Sequence, residues 1–401
     1  MNSDYRICTR CVMDTSDPDI TFDEHGVCNR CHEYDQMAIK EVFSGPEGER
    51  RLLEMVERIK HDGEGKKYDC LIGISGGVDS TFVAYKVKQY GLRPLAVHLD
   101  NGWDSELAVN NIHKALNILG IDLHTHVINW EEFKDLQVAF LKASTPDSEV
   151  PSDHAIVSLM YQIADRMDIQ YVISGRNVRT ETHGVPAWSR GHFDWKYIES
   201  VHKFYGKVPL KTYPHRTVED EAKYRQKQVW FDILNYVDYV KKDAIKIMER
   251  ELGWQYYGGK HYESIYTRFF QGYILPVKFG YDKRKGHLSS LICSGEVTRE
   301  EALAELRQPT YAPALQEEDR EYVIKKLGLT DAEFEEIMKA PLKTIYDYPS
   351  YANDYREARE ARLREARLRM EASSSLGRRL VFFPKKVFLA VKKRVKKVLG
   401  M

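Results

Sequence analysis

Asp69-Cys-Leu-Ile-Gly-Ile-Ser-Gly-Gly-Val-Asp-Ser80 is the stretch on which the fold turns. Its first half, Asp69–Ser75, is a short apolar run that suits a strand buried on both faces. From Ser80 to Tyr90 the pattern becomes helical. Between the two stand adjacent glycines framed by serines. Gly76 and Gly77 tolerate positive φ and let the backbone approach a phosphate closely. The amides that follow, starting with Val78, share the space with the unpaired N–H groups and positive dipole end of the helix. Ser75 and Ser80 add hydroxyl donors. Asp79 repels a bare phosphate, which implies a bound Mg²⁺ between them. No Gly-Lys-Ser/Thr follows, so this is not a Walker A loop. The plainer alternative is a tight strand-to-helix turn with Ser80 as its N-cap.

Outward from this loop, strands and helices alternate. Pro94–Leu99 reads as a second strand, Ala108–Leu119 as a helix, and Leu123–Ile128 as a third strand. Ile156–Met167 reads as a helix, and Tyr171–Ser174 as a strand ending at Gly175. The order predicts an α/β chain with a doubly wound parallel sheet. Ligands of such sheets sit beyond the carboxyl ends of the strands, where Gly76, Asp100 and Gly175 fall. Upstream, residues 48–60 are helical and His61–Lys67 is a linker. Downstream, a helix is expected from Thr217 to Leu234 and short helices from Thr298 to Lys339. A solvated Arg/Glu-rich helix covers Glu357–Glu371, with a hinge at Ser373–Gly377. The expected organisation is a knuckle at 1–47, the sheet at 48–187, a substrate-binding and helical region at 188–350, and a tail at 351–401.

Four of the six cysteines form Cys8-x₂-Cys11-x₁₆-Cys28-x₂-Cys31. Two CxxC pairs at this separation fit a four-thiolate tetrahedral Zn²⁺ site. Such a closed site leaves no open position, so its expected role is structural, worth roughly 10–16 kcal/mol of apparent folding energy. Cys70 and Cys293 are scattered, which suits a reducing cytosol rather than a disulfide framework.

The zero formal charge hides an asymmetry. Nine Lys or Arg and no acid lie from Ser373 onward, so residues 1–372 carry the compensating −9. An acidic body speaks against nucleic-acid binding. Residues 378–401 form a basic amphipathic pattern suited to peripheral contact with an anionic membrane or to an acidic protein surface. No secretory signal opens the sequence and no run approaches the roughly 18 apolar residues of a spanning helix. The expected location is cytoplasmic, at the inner face of the membrane if the tail docks there.

Two further groups carry candidate chemistry. Arg176, Arg179, Glu181 and His183 fall on a loop beyond a strand end, where cations suit a diphosphate or a carboxylate. Lys278, Asp282 and Lys283 follow a Pro-containing apolar run and are expected at a strand end. A lysine there offsets charge on an α-phosphate and a departing pyrophosphate.

The strand–SGGVDS–helix unit resembles the PP-loop (N-type) ATP pyrophosphatase superfamily, which implies an adenine nucleotide alpha hydrolase-like fold. That resemblance implies that His98-Leu99-Asp100-Asn101-Gly102 lines an adenosine pocket and that Ser174-Gly175-Arg176-Asn177 closes over the nucleotide. Within the superfamily, residues 8–348 resemble the N-acetyl sugar amidotransferases of bacterial surface-polysaccharide synthesis. The matching motifs are Cys8-Thr-Arg-Cys-Val-Met-Asp-Thr15, Gly26-Val-Cys-Asn-Arg-Cys31, the SGGVDS loop, Thr267-Arg-Phe-Phe-Gln271 and Leu275-Pro-Val-Lys-Phe-Gly-Tyr-Asp-Lys283. The resemblance implies that ATP activates the acetamido oxygen of a UDP-N-acetyl sugar and that ammonia then makes an acetamidino group, as in O-antigen (lipopolysaccharide) synthesis. It also implies a separate glutaminase subunit, consistent with Met1-Asn2 at the N-terminus and four cysteines committed to zinc. Two alternatives stand beside it: a tRNA-thiolating enzyme, and a non-catalytic nucleotide-binding scaffold.

Overall fold

The computed structural model describes residues 5–259 and 261–375. The basic amphipathic segment 378–401 lies outside the described residues.

Five strands, β1 (Cys70–Gly73), β2 (Pro94–Asp100), β3 (Asp122–Val127), β4 (Tyr171–Ser174) and β5 (Val229–Asp232), form one sheet in the order β3-β2-β1-β4-β5, every pair parallel. Alternation along the strands divides the core. Leu71, Leu95, Val97, Leu99 and Val172 point into one apolar cluster, while Cys70, Ile72, Ala96, Tyr171 and Ile173 point into the other. Helices cover both faces, so the central strands are apolar throughout, as a doubly wound sheet requires. Leu71 is fully buried, and Leu71→Ala would cost about 2–5 kcal/mol.

Helices α1 (Asn29–Glu41) and α2 (Gly45–Asp62) precede the sheet. The helices α3 (Val78–Gln89), α4 (Glu106–Leu119), α5 (Trp130–Ala143) and α6 (Val150–Arg166) connect its strands. Chain order reverses between β1 and β4, and the Ser75–Ser80 loop lies at that switch point. Beyond the sheet, residues 241–375 are helical. Residues 7–31 pack with Val185, Trp188 and Cys293, and the Arg299 guanidinium donates to the carbonyls of Cys11 (3.0 Å) and Cys8 (2.9 Å).

Several expectations need correction. The helix expected over Thr217–Leu234 ends at Lys227, and Val229–Asp232 is the fifth strand, so the sheet draws on chain well beyond residue 187. An apolar run this short has no period that separates strand from helix, and parallel pairing to β4 decides it. The run before Lys278 is helical, not a strand: Ile265–Phe269 continues as a wide π-helix over Phe270–Phe279 with Pro276 inside. Phe269, Phe270, Ile274 and Leu275 bury its inner face. Helix α3 starts at Val78 with Gly77 as its cap, so Ser80 is not the N-cap. The hinge expected at Ser373–Gly377 is helix as far as Ser375. Among the described residues no helix is long and apolar enough to cross a membrane.

Candidate functional site

Gly76 has φ +77°, and a Cβ there would stand 2.5 Å from the Ala108 carbonyl oxygen. Only glycine fits. The turn is held by its own polar groups: the Ser75 and Ser80 hydroxyls lie 3.1 Å apart, and Gly77 N–H donates to Ser75 Oγ at 3.3 Å. Tyr257 accepts from Val78 N–H at 3.2 Å, Trp254 donates to the Gly76 carbonyl at 3.0 Å, and Tyr239 donates to the Asp79 carboxylate. Gly175, at the end of β4, packs against Asp79, where a Cβ would come within 3.3 Å. Both strand ends at the switch point therefore meet at Asp79.

Under the loop opens a cavity of about 340 Å³, lined among others by Ser75, Ser80, His98, Leu99, Asp153 and Lys283. His98 on β2 contacts the Ile74 carbonyl at 2.9 Å and the Asp104 carboxylate at 3.1 Å. Burial disfavours its charged form, but Asp104 outweighs that and raises its pKa above the ordinary value. Asp100 turns from this cavity to accept from Gly102 N–H at 2.9 Å, and lines an adjoining cleft.

At the far wall is a charged cluster. Lys283 Nζ lies 4.0 Å from Asp147 Oδ2 and 3.9 Å from Glu149 Oε2. Burial pulls the lysine pKa down, but Asp147, Glu149 and Asp153 together leave it raised. His192 reaches Asp147 at 3.1 Å and Asp153 at 3.4 Å. Burial opposes the imidazolium, yet Asp147 carries its pKa up to about 9. Asp147 itself is buried, which favours protonation, but Lys283 and His192 hold its carboxyl well below the usual range. Asp153 is different. Its side chain is half-exposed at the cavity wall, and partial desolvation with the nearby Glu149 and Asp147 carboxylates pushes its pKa up to about 6.

Lys283 and Gln271 line two more cavities. One, about 170 Å³, also carries Glu181, His183 and Trp188; the other, about 550 Å³, carries Lys241, Tyr256, Tyr262 and Arg284. Of the residues singled out in the sequence, Ser75, Ser80, His98, Leu99 and Lys283 line the loop cavity, Gly175 packs against Asp79 of the loop, and Glu181 and His183 line the neighbouring cavity. It turns the others elsewhere. Arg176 pairs with Asp232 at 2.6 Å and Glu41 at 3.6 Å, and Arg179 donates to Ser44 Oγ at 2.7 Å. Asp282 accepts from Arg284, and Lys278 donates to the Ile337 carbonyl. These four answer to neighbours because folding brings partners that sequence order hides. Asp147, Glu149, Asp153 and His192 were missed, since short acidic residues around a helix start and a histidine 39 positions on carry no spacing signal.

The four-cysteine corner fits zinc. Cys8–Cys31, Cys28–Cys31 and Cys11–Cys28 sulfurs are separated by 3.9, 3.7 and 3.6 Å, close to the ~3.8 Å edge of a tetrahedron with Zn–S near 2.3 Å. Backbone N–H groups of Arg10, Cys11 and Cys28 donate to Cys8 Sγ, stabilising a thiolate.

Residues 263–362 match the family model described as "LPS biosynthesis protein WbpG-like, C-terminal domain". A tRNA-specific 2-thiouridylase, MnmA 2, of Fusobacterium nucleatum is 25% identical over 139 residues, 33% of this chain and 38% of that protein. An uncharacterized protein of Methanocaldococcus jannaschii is 25% identical over 137 residues, 33% of this chain and 48% of that protein. The chain thus spans less than half the length of these curated relatives. Among solved structures, an NMN synthetase from Francisella tularensis (14% identity, TM-score 0.31, 74% of this chain and 97% of that one) is similar. So is an NH3-dependent NAD synthetase from Campylobacter jejuni (16%, TM-score 0.28, 73% and 98%). At those scores the fold rests on the chain's own sheet. The chain joins a strand–SGGVDS–helix, at the switch point of a parallel sheet, to a C-terminal part, residues 263–362, that matches the WbpG-like C-terminal domain of lipopolysaccharide biosynthesis proteins.

Proposed function

We propose that the chain is an ATP-dependent, AMP-forming amidotransferase that converts the acetamido group of an N-acetylated sugar nucleotide to an acetamidino group. One observation carries the reading. The cavity under Ser75–Ser80 and the larger one beside Tyr256 and Arg284 share the charged Lys283, so a nucleotide in one and a sugar nucleotide in the other meet at its ammonium. The acetamido oxygen attacks the α-phosphorus, pyrophosphate leaves, and an O-adenylyl imidate forms. Ammonia adds to the imidate carbon, AMP departs with the oxygen, and one proton is released. Activation is required because an amide oxygen leaves poorly, whereas AMP leaves readily.

The Ser75 and Ser80 hydroxyls and the loop amides bind phosphate, the Gly77 and Val78 N–H groups exchanging Ser75 Oγ and Tyr257 for it. Asp79 is the acid suited to hold Mg²⁺, which supplies charge neutralisation on the triphosphate. Lys283 offsets charge on the α-phosphate and the departing pyrophosphate. Asp153, poised near pH 6, takes the proton from the attacking nitrogen. Lys241 and Lys242 supply cations for the sugar nucleotide's diphosphate, and Tyr256 and Tyr262 a stacking surface for its base. Ammonia comes from a partner glutaminase, and the WbpG-like match favours a lipopolysaccharide product.

The test is to incubate the chain with ATP–Mg²⁺, ammonium and a panel of UDP-N-acetyl sugars. AMP should appear in step with a sugar whose amide oxygen is replaced by NH; no AMP with any acceptor sinks the reading. The 2-thiouridylase match favours tRNA thiolation as a second reading. Thiolation wants a thiol in the cavity, and there Cys70 is fully buried in β1 while Cys293 sits beside Cys31. Salt-sensitive tRNA binding would revive it.

A further inference from the structure

We propose that the chain holds a second zinc ion, on Cys31, His183 and Cys293, adjoining the four-thiolate ion and sharing Cys31 with it. Cys293 Sγ lies 3.8 Å from Cys31 Sγ and 3.8 Å from His183 Nε2, and the three ligand atoms are all within 4.8 Å of one another. These are the separations found among the sulfurs of Cys8, Cys11, Cys28 and Cys31 themselves. A single tetrahedral ion takes four ligands, which leaves a fifth thiol and an imidazole at ligand spacing with no ion of their own.

The imidazole is already set for a metal. Ser290 Oγ donates its hydrogen to the Gly286 carbonyl at 3.2 Å, so toward His183 it can only accept. It lies 3.1 Å from His183 Nδ1 and also accepts the His183 backbone N–H at 3.1 Å. Nδ1 therefore carries the proton, and Nε2 aims its lone pair at the Cys293 side. Metal-ligating histidines are fixed in this way by an oxygen behind the ring. Ser290 and His183 are both buried, so the arrangement is not a surface accident.

Charge points the same way. One Zn²⁺ on four thiolates leaves a net charge of about −2 in a corner where all four cysteines are 0% exposed. Two cations stand nearby, but Arg10 is already paired with Asp35 at 2.6 and 2.8 Å and Arg299 donates to the Cys11 and Cys8 carbonyls rather than to their sulfurs. A second divalent ion, brought in with the Cys293 thiolate and a neutral imidazole, halves that excess. Two thiolates and an imidazole select a soft ion such as zinc and leave its fourth position open to water. Cys31 lies on α1, His183 two residues beyond Glu181, and Cys293 on the helix Arg284–Ser294 that follows Lys283. The ion would clamp all three segments together, whatever reaction the cavities perform.

The full chain, purified with zinc under reducing conditions and desalted, is assayed for metal content and zinc X-ray absorption. The expected result is two zinc per chain, averaging three sulfurs and one nitrogen or oxygen around each. One zinc in an all-sulfur shell overturns the proposal, as do two zinc averaging two sulfurs, which would put the second ion elsewhere. His183→Asn and Cys293→Ser should each fall to one zinc in an all-sulfur shell; retention of two overturns it. Should a variant lose its circular dichroism, the absorption shell of the unaltered chain decides.

Discussion

Lys283 Nζ stands 4.0 Å from the Asp147 carboxylate, an oxygen that His192 Nε2 also reaches at 3.1 Å, so two cations share one buried acid beside the cavity under the SGGVDS loop. Among the described residues the ammonium is held by charge, 3.9–4.0 Å from two carboxylates, rather than by a close hydrogen bond. Replacing it with an isosteric apolar chain should remove transition-state charge stabilisation and leave the nucleotide's main-chain grip intact. Lys283→Met should lower AMP formation about 10²–10³-fold with ATP binding retained, and Lys283→Arg should recover part of the rate. A loss under tenfold by coupled AMP assay would remove Lys283 from the chemistry.

Asp153 sets a pH dependence. With its pKa raised to about 6, it is protonated below that value and cannot accept a proton. The rate at saturating ammonia should therefore rise with pH through about 6 and level off above it. Asp153→Asn should be slow at every pH and lose that limb. An unchanged profile in the variant assigns the limb to another group.

His192 is a stability group. Its pKa is raised to about 9 in the folded state, from an ordinary 6.5. A raised value means the stabilisation is complete below about 6.5 and is lost as pH climbs through 9. Asp147, held low from an ordinary 3.8, adds stability above that value and loses it as pH falls further. The stability gap between the unaltered chain and His192→Gln should thus be widest between about pH 4 and 6.5, on the order of 2 kcal/mol, and close above pH 9. Urea titrations across that range measure it, and a gap independent of pH would contradict the pairing.

Gly76→Ala tests the loop. A side chain at φ +77° with the Ala108 carbonyl 2.5 Å away must move one of them. The expected cost is about 1–3 kcal/mol, read as a fall in Tm, together with weakened ATP binding by calorimetry. Gly120→Ala, at φ +60° with nothing within 4 Å, should share the strain but keep the affinity.

Some of this was legible before folding. A buried apolar strand, two glycines and a following helix define the loop locally, because each part needs only its nearest neighbours in sequence. The CxxC pairs were legible for the same reason: two cysteines three apart are already within reach of one ion. The sequence by itself thus determined the glycine turn between strand and helix, the alternating strands and the four-cysteine corner. Tertiary structure decided the rest. β5 exists because β4 offers an edge 55 residues earlier in the chain, and no local period encodes that. Arg176, Arg179, Lys278 and Asp282 found partners elsewhere, while Asp147, Asp153 and His192 converged on Lys283 from α6 and two separate loops. Charges act through space over a few ångströms, and which charges come that close is settled only when the chain packs.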